Sequence, residues 1–411
     1  MAHLIEHTGG QVPYHHFSAA PARYGALPTG GDIANPGASA WDVEGAVARV
    51  TFEALERYCA AFADYASLTL AEPDVSSPVW SVGMRIQRFA DDQYAAPDFP
   101  FVPVDSNSLI HWAAGRSLLT GRGRFIPAPL VYLPYRPSTT AETLGYSFST
   151  GMSAAWRRDD ACLGGLLELV ERDAFVTAWM NRIPGAVLVP RPGSALANRV
   201  NAVEASGGGR VTMTDLTSDL GIPVVCCVLR RPAHDRAVIA VGLSCKMDYA
   251  SACDKALCES VSEYERLRTV LEDSHADNWV PGDAFCNVTD FDFHGRTYLD
   301  EKLHPQLDFL LGDGTERVIN GEFRNQTSAD LFEAMRRVGP HVSDIVAVDL
   351  TTRDVHELGV CVVKVFAPEL VPLNADHRYP YLGHKRLYTA GGRLATASVR
   401  ANLNPYPHPF S

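Results

Sequence analysis

Apolar positions recur every three to four residues through three long stretches of the chain, a period that predicts amphipathic helices. The first runs from about Val43 to Tyr65 behind Asp42, a residue type suited to an N-cap. The second spans Asp160 to Asn181 and closes at Pro184-Gly185. The third covers about Ala250 to Leu271, and a shorter one Ala329 to Val338. Runs of β-branched residues predict strands at Val79–Gln87, Phe125–Tyr135, Val238–Cys245, Ile345–Leu350 and Val360–Phe366. Two more short strands fit within Gly209–Arg231, around the turn-bearing Asp215-Leu-Thr-Ser-Asp-Leu-Gly-Ile-Pro. Ser106–Leu119 reads as a helix linking the first two strands. Residues 8 to 40 are rich in Gly, Pro and Ala with little periodicity, and are expected as loop. Residues 1–36 are expected as a flexible arm before a single domain, 37–411. The fold class is mixed α/β (α+β), with long helices packed on mixed sheets.

Two of the helices carry nearly the same charged cluster. Glu53-Ala-Leu-Glu56-Arg57 and Glu168-Leu-Val-Glu171-Arg172 each place three charges on one narrow stripe. Leu55, Tyr58 and Phe62 lie opposite the first stripe and are expected to anchor it to a core. The second helix is apolar nearly all round, so its carboxylates are expected to be partly buried. Burying an unpaired charge costs several kcal/mol, on the order of a domain's whole margin. Gly164 and Gly165, one turn before Glu168, are expected to admit a close neighbour. A single such Glu–Arg pair is an ordinary helix salt bridge worth roughly 0.3–0.5 kcal/mol. Two sets in apolar helices suit a Mg²⁺–polyphosphate site lined by carboxylates.

Composition narrows the choice of partner. The 411 residues are 46% hydrophobic and 20% charged, an ordinary globular balance. A net charge of −12 disfavours a nucleic-acid partner. The start, Met-Ala-His-Leu-Ile-Glu-His, lacks the pattern of a signal peptide, and no apolar run reaches membrane-span length. A cytoplasmic protein without a membrane partner is expected. Nine cysteines form no C-x-x-C pair, so reduced buried thiols are expected rather than zinc. No Walker A loop, G-x-G-x-x-G fingerprint or G-x-S-x-G elbow is present. A nucleotide would therefore be held by carboxylates and basic side chains.

The motifs agree with one family along most of the chain. Ser149-Thr-Gly-Met-Ser-Ala-Ala followed by Leu166-Leu-Glu-Leu-Val-Glu-Arg-Asp-Ala-Phe resembles the YcaO family, and more narrowly its azoline-forming cyclodehydratase D proteins. Further matches are Trp112-Ala-Ala-Gly-Arg-Ser-Leu-Leu-Thr-Gly, Ile126-Pro-Ala-Pro-Leu-Val-Tyr, Asp349-Leu-Thr-Thr, Val363-Lys-Val-Phe-Ala-Pro-Glu-Leu and Tyr381-Leu-Gly-His-Lys-Arg-Leu-Tyr. The chain closes on Pro405-Tyr-Pro407-His-Pro409-Phe-Ser411, similar to the proline-rich tail of that branch.

The resemblance implies an enzyme that uses ATP and Mg²⁺ to activate a peptide amide. A Cys, Ser or Thr of a ribosomally made precursor attacks the preceding carbonyl, whose oxygen is phosphorylated and lost. The product is a thiazoline or oxazoline. By the match, Glu53, Glu56 and Arg57 form the first nucleotide cluster, Asp160, Glu168, Glu171 and Arg172 the second, and Glu259 the third. Of these Glu53, Glu56, Glu168, Glu171 and Glu259 are the implied metal ligands. The tail, through Pro407, Pro409 and the carboxylate of Ser411, is implied to act in proton transfer. The resemblance also implies a separate leader-binding partner protein and a flavin azoline oxidase. Some positions depart from the pattern: Arg49 stands for Ser, Gly37-Ala-Ser-Ala for a Gly-Lys-Gly turn, and Ser262 and Tyr264 for Gln and Arg. Arg49 and Arg266 are expected to restore the missing positive charge. A non-catalytic scaffold and a thioamide-forming enzyme remain as alternatives.

Overall fold

The strand-like text of the chain pairs into three sheets in a computed structural model that describes residues 3–7, 14–20, 36–74, 76–86, 88–272, 279–324, 326–394 and 396–410. At the N-terminal end β1 (His3–His7), β2 (His15–Ala20) and β3 (Gly37–Ala40) form an antiparallel trio. A six-stranded antiparallel sheet takes the order β4 (Thr69–Ala71), β5 (Ile110–Ser117), β13 (Val346–Asp349), β14 (Cys361–Phe366), β7 (Met152–Ala155), with β6 (Gly123–Pro127) also on β5. A five-stranded sheet runs β11 (Arg236–Cys245), β10 (Val224–Ala233), β9 (Arg210–Asp215), β8 (Val187–Pro190), β12 (Glu316–Ile319). In it only β8 and β12 pair in parallel.

The long helices are α1 (Val43–Ala60), α5 (Arg158–Asn181) and α7 (Tyr249–Glu272). Shorter ones are α2 (Pro78–Met84), α3 (Asp91–Tyr94), α4 (Ala128–Val131), α6 (Ala195–Ala205), α8 (Phe291–Thr297), α9 (Ala329–Val338), α10 (Arg353–Glu357) and α11 (Lys385–Tyr388). Asp42 caps α1 as expected, its Oδ1 accepting from the Gly45 amide at 2.7 Å.

Helix α5 reads apolar on all sides because it lies between two sheets. Its Leu163, Leu166, Val170 and Phe175 share one core with Val363 and Val365 of β14 and with Cys226, Val228 and Val241 of β10 and β11. The alternate residues of the same strands face outward into two further cores. Val346, Val348 and Val362 pack with Trp112 and Ile126, while Val225, Cys227 and Leu229 pack with Ala256, Leu257 and Val261 of α7. Both faces of each sheet are thus covered. That is why Pro223-Val-Val-Cys-Cys-Val-Leu shows no alternation of apolar and polar positions. Each such buried Leu, Val or Phe contributes on the order of 2 kcal/mol of transfer free energy.

Several expected elements differ. Val79–Gln87 holds helix α2 instead of a strand, and Ser106–Leu119 holds strand β5 instead of a helix. Strand β5 wins because it is hydrogen-bonded to β4, β6 and β13, tertiary pairing that overrides the helix-favouring Ala113-Ala114. The Phe125–Tyr135 strand stops at Pro127, where α4 begins. Residues 8–40 contain two strands in their described parts, β2 and β3, where loop was expected. Phe62 is 43% exposed, so α1 is anchored instead by Val50 and Cys59, with Leu55 and Tyr58 packed partly against the second core. What approaches Gly164 and Gly165 is the chain itself. A Cβ on Gly165 would lie 2.4 Å from the Gly151 carbonyl oxygen, so α5 seats directly on the turn before β7.

A carboxylate at the end of the short 3-10 turn Thr140–Glu142, which the sequence pattern does not single out, is buried beside the second core. The Glu142 carboxylate is 1% exposed and accepts from the His111 amide and ring, Tyr135 hydroxyl, and Ser138 amide and hydroxyl, all at 2.6–2.9 Å. Burial works to raise its pKa, but the bonds from His111 and Ser138 overcome that and hold it at about 2. A depressed carboxyl pKa stabilises the fold above the unfolded value of about 4.5 and loses that contribution as pH falls toward 2. Glu142→Gln should therefore cost about 3 kcal/mol at pH 7 and almost nothing near pH 2. Denaturant titration of both proteins at the two pH values measures the gap; a gap that does not change with pH would refute the charged network.

Candidate active site

The two E-x-x-E-R stripes face each other because α1 and α5 both pack on β7. Glu56 Oε1 accepts from the Ala154 amide of β7 at 2.7 Å, and Glu168 Oε2 from the Gly151 amide just before it at 2.9 Å. Glu171, 9% exposed, turns the other way along α5 and accepts from the Cys245 amide at the end of β11, also at 2.9 Å. Glu259 enters from α7, ion-paired with Lys255 one turn earlier. Arg57 reaches Glu53 at 3.9 Å, and Arg172 spans Glu168 at 3.6 Å and Glu171 at 3.8 Å. Three helices thus bring five carboxylates to one space.

The electrostatics of that space are crowded with negative charge. Burial raises the Glu53 carboxyl pKa, Arg57 opposes it, and Glu168 and Glu259 add to it. Burial pushes Glu56 well up, against the Ala154 hydrogen bond, with Glu53 and Glu168 adding repulsion. Glu171 is raised by burial, opposed by Arg172, and raised again by Glu259 and Glu168. Like charges in low dielectric call for a counter-cation. The buried Nε of Arg57 and the Nε and Nη1 of Arg172 have no hydrogen-bond partner. Orphaned guanidinium donors beside clustered carboxylates suit a ligand with anionic oxygens held through a divalent metal. Among the described residues no three of Asp, Glu, His or Cys already form a closed metal cage. The residues therefore fit Mg²⁺ shared with a phosphate ligand better than a metal bound by protein alone.

Two lysines that no sequence motif marks complete the basic side of the site. Lys255 pairs with Glu259, and Lys246 follows the Cys245 amide that holds Glu171. Burial, then the neighbouring Lys255, pushes the Lys246 amine down to about 8, with Arg49 adding to the effect. Their signal in the sequence was weak, because lysine on or near a helix is usually a solvated charge.

The positions that depart from the family pattern meet in space. The Ser39 hydroxyl lies 2.9 Å from the Ser262 hydroxyl, and Arg49 Nη1 donates to the Ser39 carbonyl at 2.8 Å. Arg49 thus stands beside the α7 stripe of Lys255, Glu259 and Ser262. Tyr264 does not: its hydroxyl donates to the Pro232 carbonyl at 2.8 Å and its ring is in the α7 core. Arg266 binds Glu263 at 2.7 and 2.8 Å and also Asp292, so it is committed to α8 and does not replace a charge in the carboxylate space. Asp160 sits about 12 Å before Glu168 along the helix axis and accepts from Gln326 at 3.4 Å, outside the cluster.

The proline-rich tail brings Phe410 to the second cluster. Pro407 and Pro409 are buried, and the Pro407 carbonyl accepts from the Tyr298 hydroxyl at 2.5 Å. His408 is 4% exposed, with Nε2 bonded to the Asn374 carbonyl at 2.8 Å. The Phe410 ring centroid lies 4.3 Å from the Arg172 guanidinium carbon. Ser411 lies outside the described residues.

Comparison with known proteins finds a family and relatives for this chain. A family model described as YcaO cyclodehydratase, ATP- and Mg²⁺-binding, matches residues 40–371. An uncharacterized protein of Methanothermobacter thermautotrophicus is 28% identical over 281 residues, 66% of this chain and 68% of that protein. A heterocyclase solved in complex with substrate and cofactor superposes with a TM-score of 0.79 at 22% identity, covering 99% of this chain. This chain spans only about half of it, 55%. A Methanopyrus kandleri structure bound with AMPPCP and Mg²⁺ superposes at 0.62 with 18% identity, covering 89% of this chain and 86% of its own.

Proposed function

The chain belongs to the YcaO cyclodehydratase family, which binds ATP and Mg²⁺, and on that premise we propose that it forms azoline rings in a ribosomally made precursor peptide. The observation that carries this reading is the convergence of Glu53, Glu56, Glu168, Glu171 and Glu259 with Arg57, Arg172 and Lys255. Bound ATP and Mg²⁺ supply the phosphoryl group that turns an amide oxygen into a leaving group. The carboxylates of α1, α5 and α7 would hold the metal from three sides, and the backbone amides of Gly151, Ala154 and Cys245 keep them from turning away. Arg57, Arg172, Lys246 and Lys255 would meet the phosphate oxygens, with Arg49 beside them in place of the lysine turn. The tail prolines Pro407 and Pro409 lead to Phe410 on Arg172, and Ser411 would serve proton transfer to and from the cyclising residue. A leader-binding partner would bring the precursor, and a flavin oxidase would act on the product. No helix among the described residues is long and apolar enough to cross a membrane.

A thermal-shift titration with ATP and Mg²⁺ tests the reading. Wild type should gain several degrees, because ligand at 100 times its Kd adds about 2.7 kcal/mol. Glu168→Ala with Glu171→Ala should lose the gain. No gain with the partner protein present would favour the scaffold alternative. In the mass of a modified precursor, loss of water marks an azoline, and exchange of oxygen for sulfur would mark a thioamide.

A further inference from the structure

Two buried basic side chains next to the carboxylate space meet no carboxylate of their own. Arg88 is 8% exposed and Lys364 2%, and neither makes an ion pair among the described residues. Arg88 Nη1 donates to the Tyr146 carbonyl and Lys364 Nζ to the Phe148 carbonyl, each at 2.5 Å. Both line one cavity of about 50 Å³. His384, 5% exposed, lines it too, and its Nε2 has no hydrogen-bond partner. The remaining wall is mostly apolar, with Leu169, Val365 and Phe366. Thr150 and Leu169 of the lining adjoin Gly151 and Glu168 in the chain, so the cavity shares a wall with the site.

Burial, then the neighbouring Arg88, pushes the Lys364 amine well below its ordinary value, and Arg88 lies over the Phe148 and Tyr381 rings with no carboxylate partner among the described residues. An anion in the cavity would pair the guanidinium and let the amine keep its proton. The arrangement differs from the phosphate side of the site. There the basic groups stand among carboxylates able to hold a metal; here they stand in an apolar wall too small for a nucleotide. A carboxylate on a methylene stem suits both features, its head on Arg88 and Lys364 and its stem against Leu169 and Phe366.

We propose that this cavity is a subsite for the carboxylate of an Asp or Glu side chain of the precursor peptide, close to the residue that is modified. The nature of the carrier rests on the peptide-modifying function proposed above; the carboxylate site itself does not. In the absence of nucleotide, butyrate should raise the melting temperature of the full chain in a concentration-dependent way, and uncharged butyramide should not. Lys364→Met should lose the butyrate response. Arg88→Met should lose that response as well. Glu168→Ala with Glu171→Ala should keep it. Equal responses to butyramide, a response that survives Lys364→Met, or stabilisation by inorganic phosphate in place of butyrate would each overturn the proposal. A butyrate response without any ATP–Mg²⁺ response would keep the subsite and sink the cyclodehydratase reading. The reverse would sink the subsite alone.

Discussion

Glu56→Gln is expected to cut peptide modification at least roughly 100-fold while making the free protein more stable. The carboxylate of Glu56 is held among Glu53 and Glu168 with only Arg57 to oppose them. Burial first, and those two neighbours after it, raise its pKa well above the ordinary value, despite the Ala154 hydrogen bond. A carboxyl whose folded pKa is raised destabilises the fold above that pKa and does less harm as pH falls through it. Glutamine keeps an oxygen for the Ala154 amide and removes one like charge. The free protein should therefore gain stability above neutral pH. Turnover should collapse because the charge is what the metal and phosphates require. Denaturant melts alongside mass analysis of the precursor decide the matter. Wild-type turnover would remove Glu56 from the site, and a less stable variant would make its role a structural one.

Arg386→Met should cost about 3–5 kcal/mol, the largest loss of stability expected from one substitution here. Asp173 follows Arg172 on α5 and is 0% exposed. Its Oδ1 and Oδ2 accept from Arg386 Nε and Nη2 at 2.9 and 2.7 Å, and the Val371 amide donates to it at 3.0 Å. Arg386 also bonds Asp219 at 2.7 Å, tying α5, α11 and the turn after β9 into one buried network. Removal of the guanidinium strands a carboxylate that water cannot reach. Adding Asp173→Leu to Arg386→Met should restore most of the loss, because neither charge is then buried alone. If the double variant is no better than the single one, the cost lies in the shape of α11 and not in the stranded charge.

The Asp173 network shows where reading the sequence stopped short. Its Glu-Arg-Asp triplet was visible as a charged cluster, but nothing local separates Glu171, which faces the site, from Asp173, which braces α11. The long helices α1, α5 and α7 were legible because many turns repeat one period. Short elements were not. Val79-Trp-Ser-Val suits a strand as well as it suits α2, and only packing against β6 decides. Strand β3 is Gly-Ala-Ser-Ala and β2 closes on Ser-Ala-Ala, residues that carry little β-propensity of their own. In the site, the acids stood out because they interrupt apolar helices. Lys246, Lys255 and Arg88 come from separate segments, and no spacing links them. Lys364 did leave a trace: a lone lysine in Val362-Val-Lys364-Val-Phe, within a strand buried on both faces.

The burial of Phe410 in the core that surrounds α5 sets a condition on biosynthesis. That core cannot close, and Arg172 cannot receive its ring, until residue 410 has left the ribosome. At 5–20 residues per second the preceding chain takes about 20–80 s to make. During that time β5 also waits for β13, more than two hundred residues later in the order of translation. A nascent chain therefore exposes apolar helix α5 for most of its synthesis, a window in which a chaperone has more to hold than a precursor peptide does.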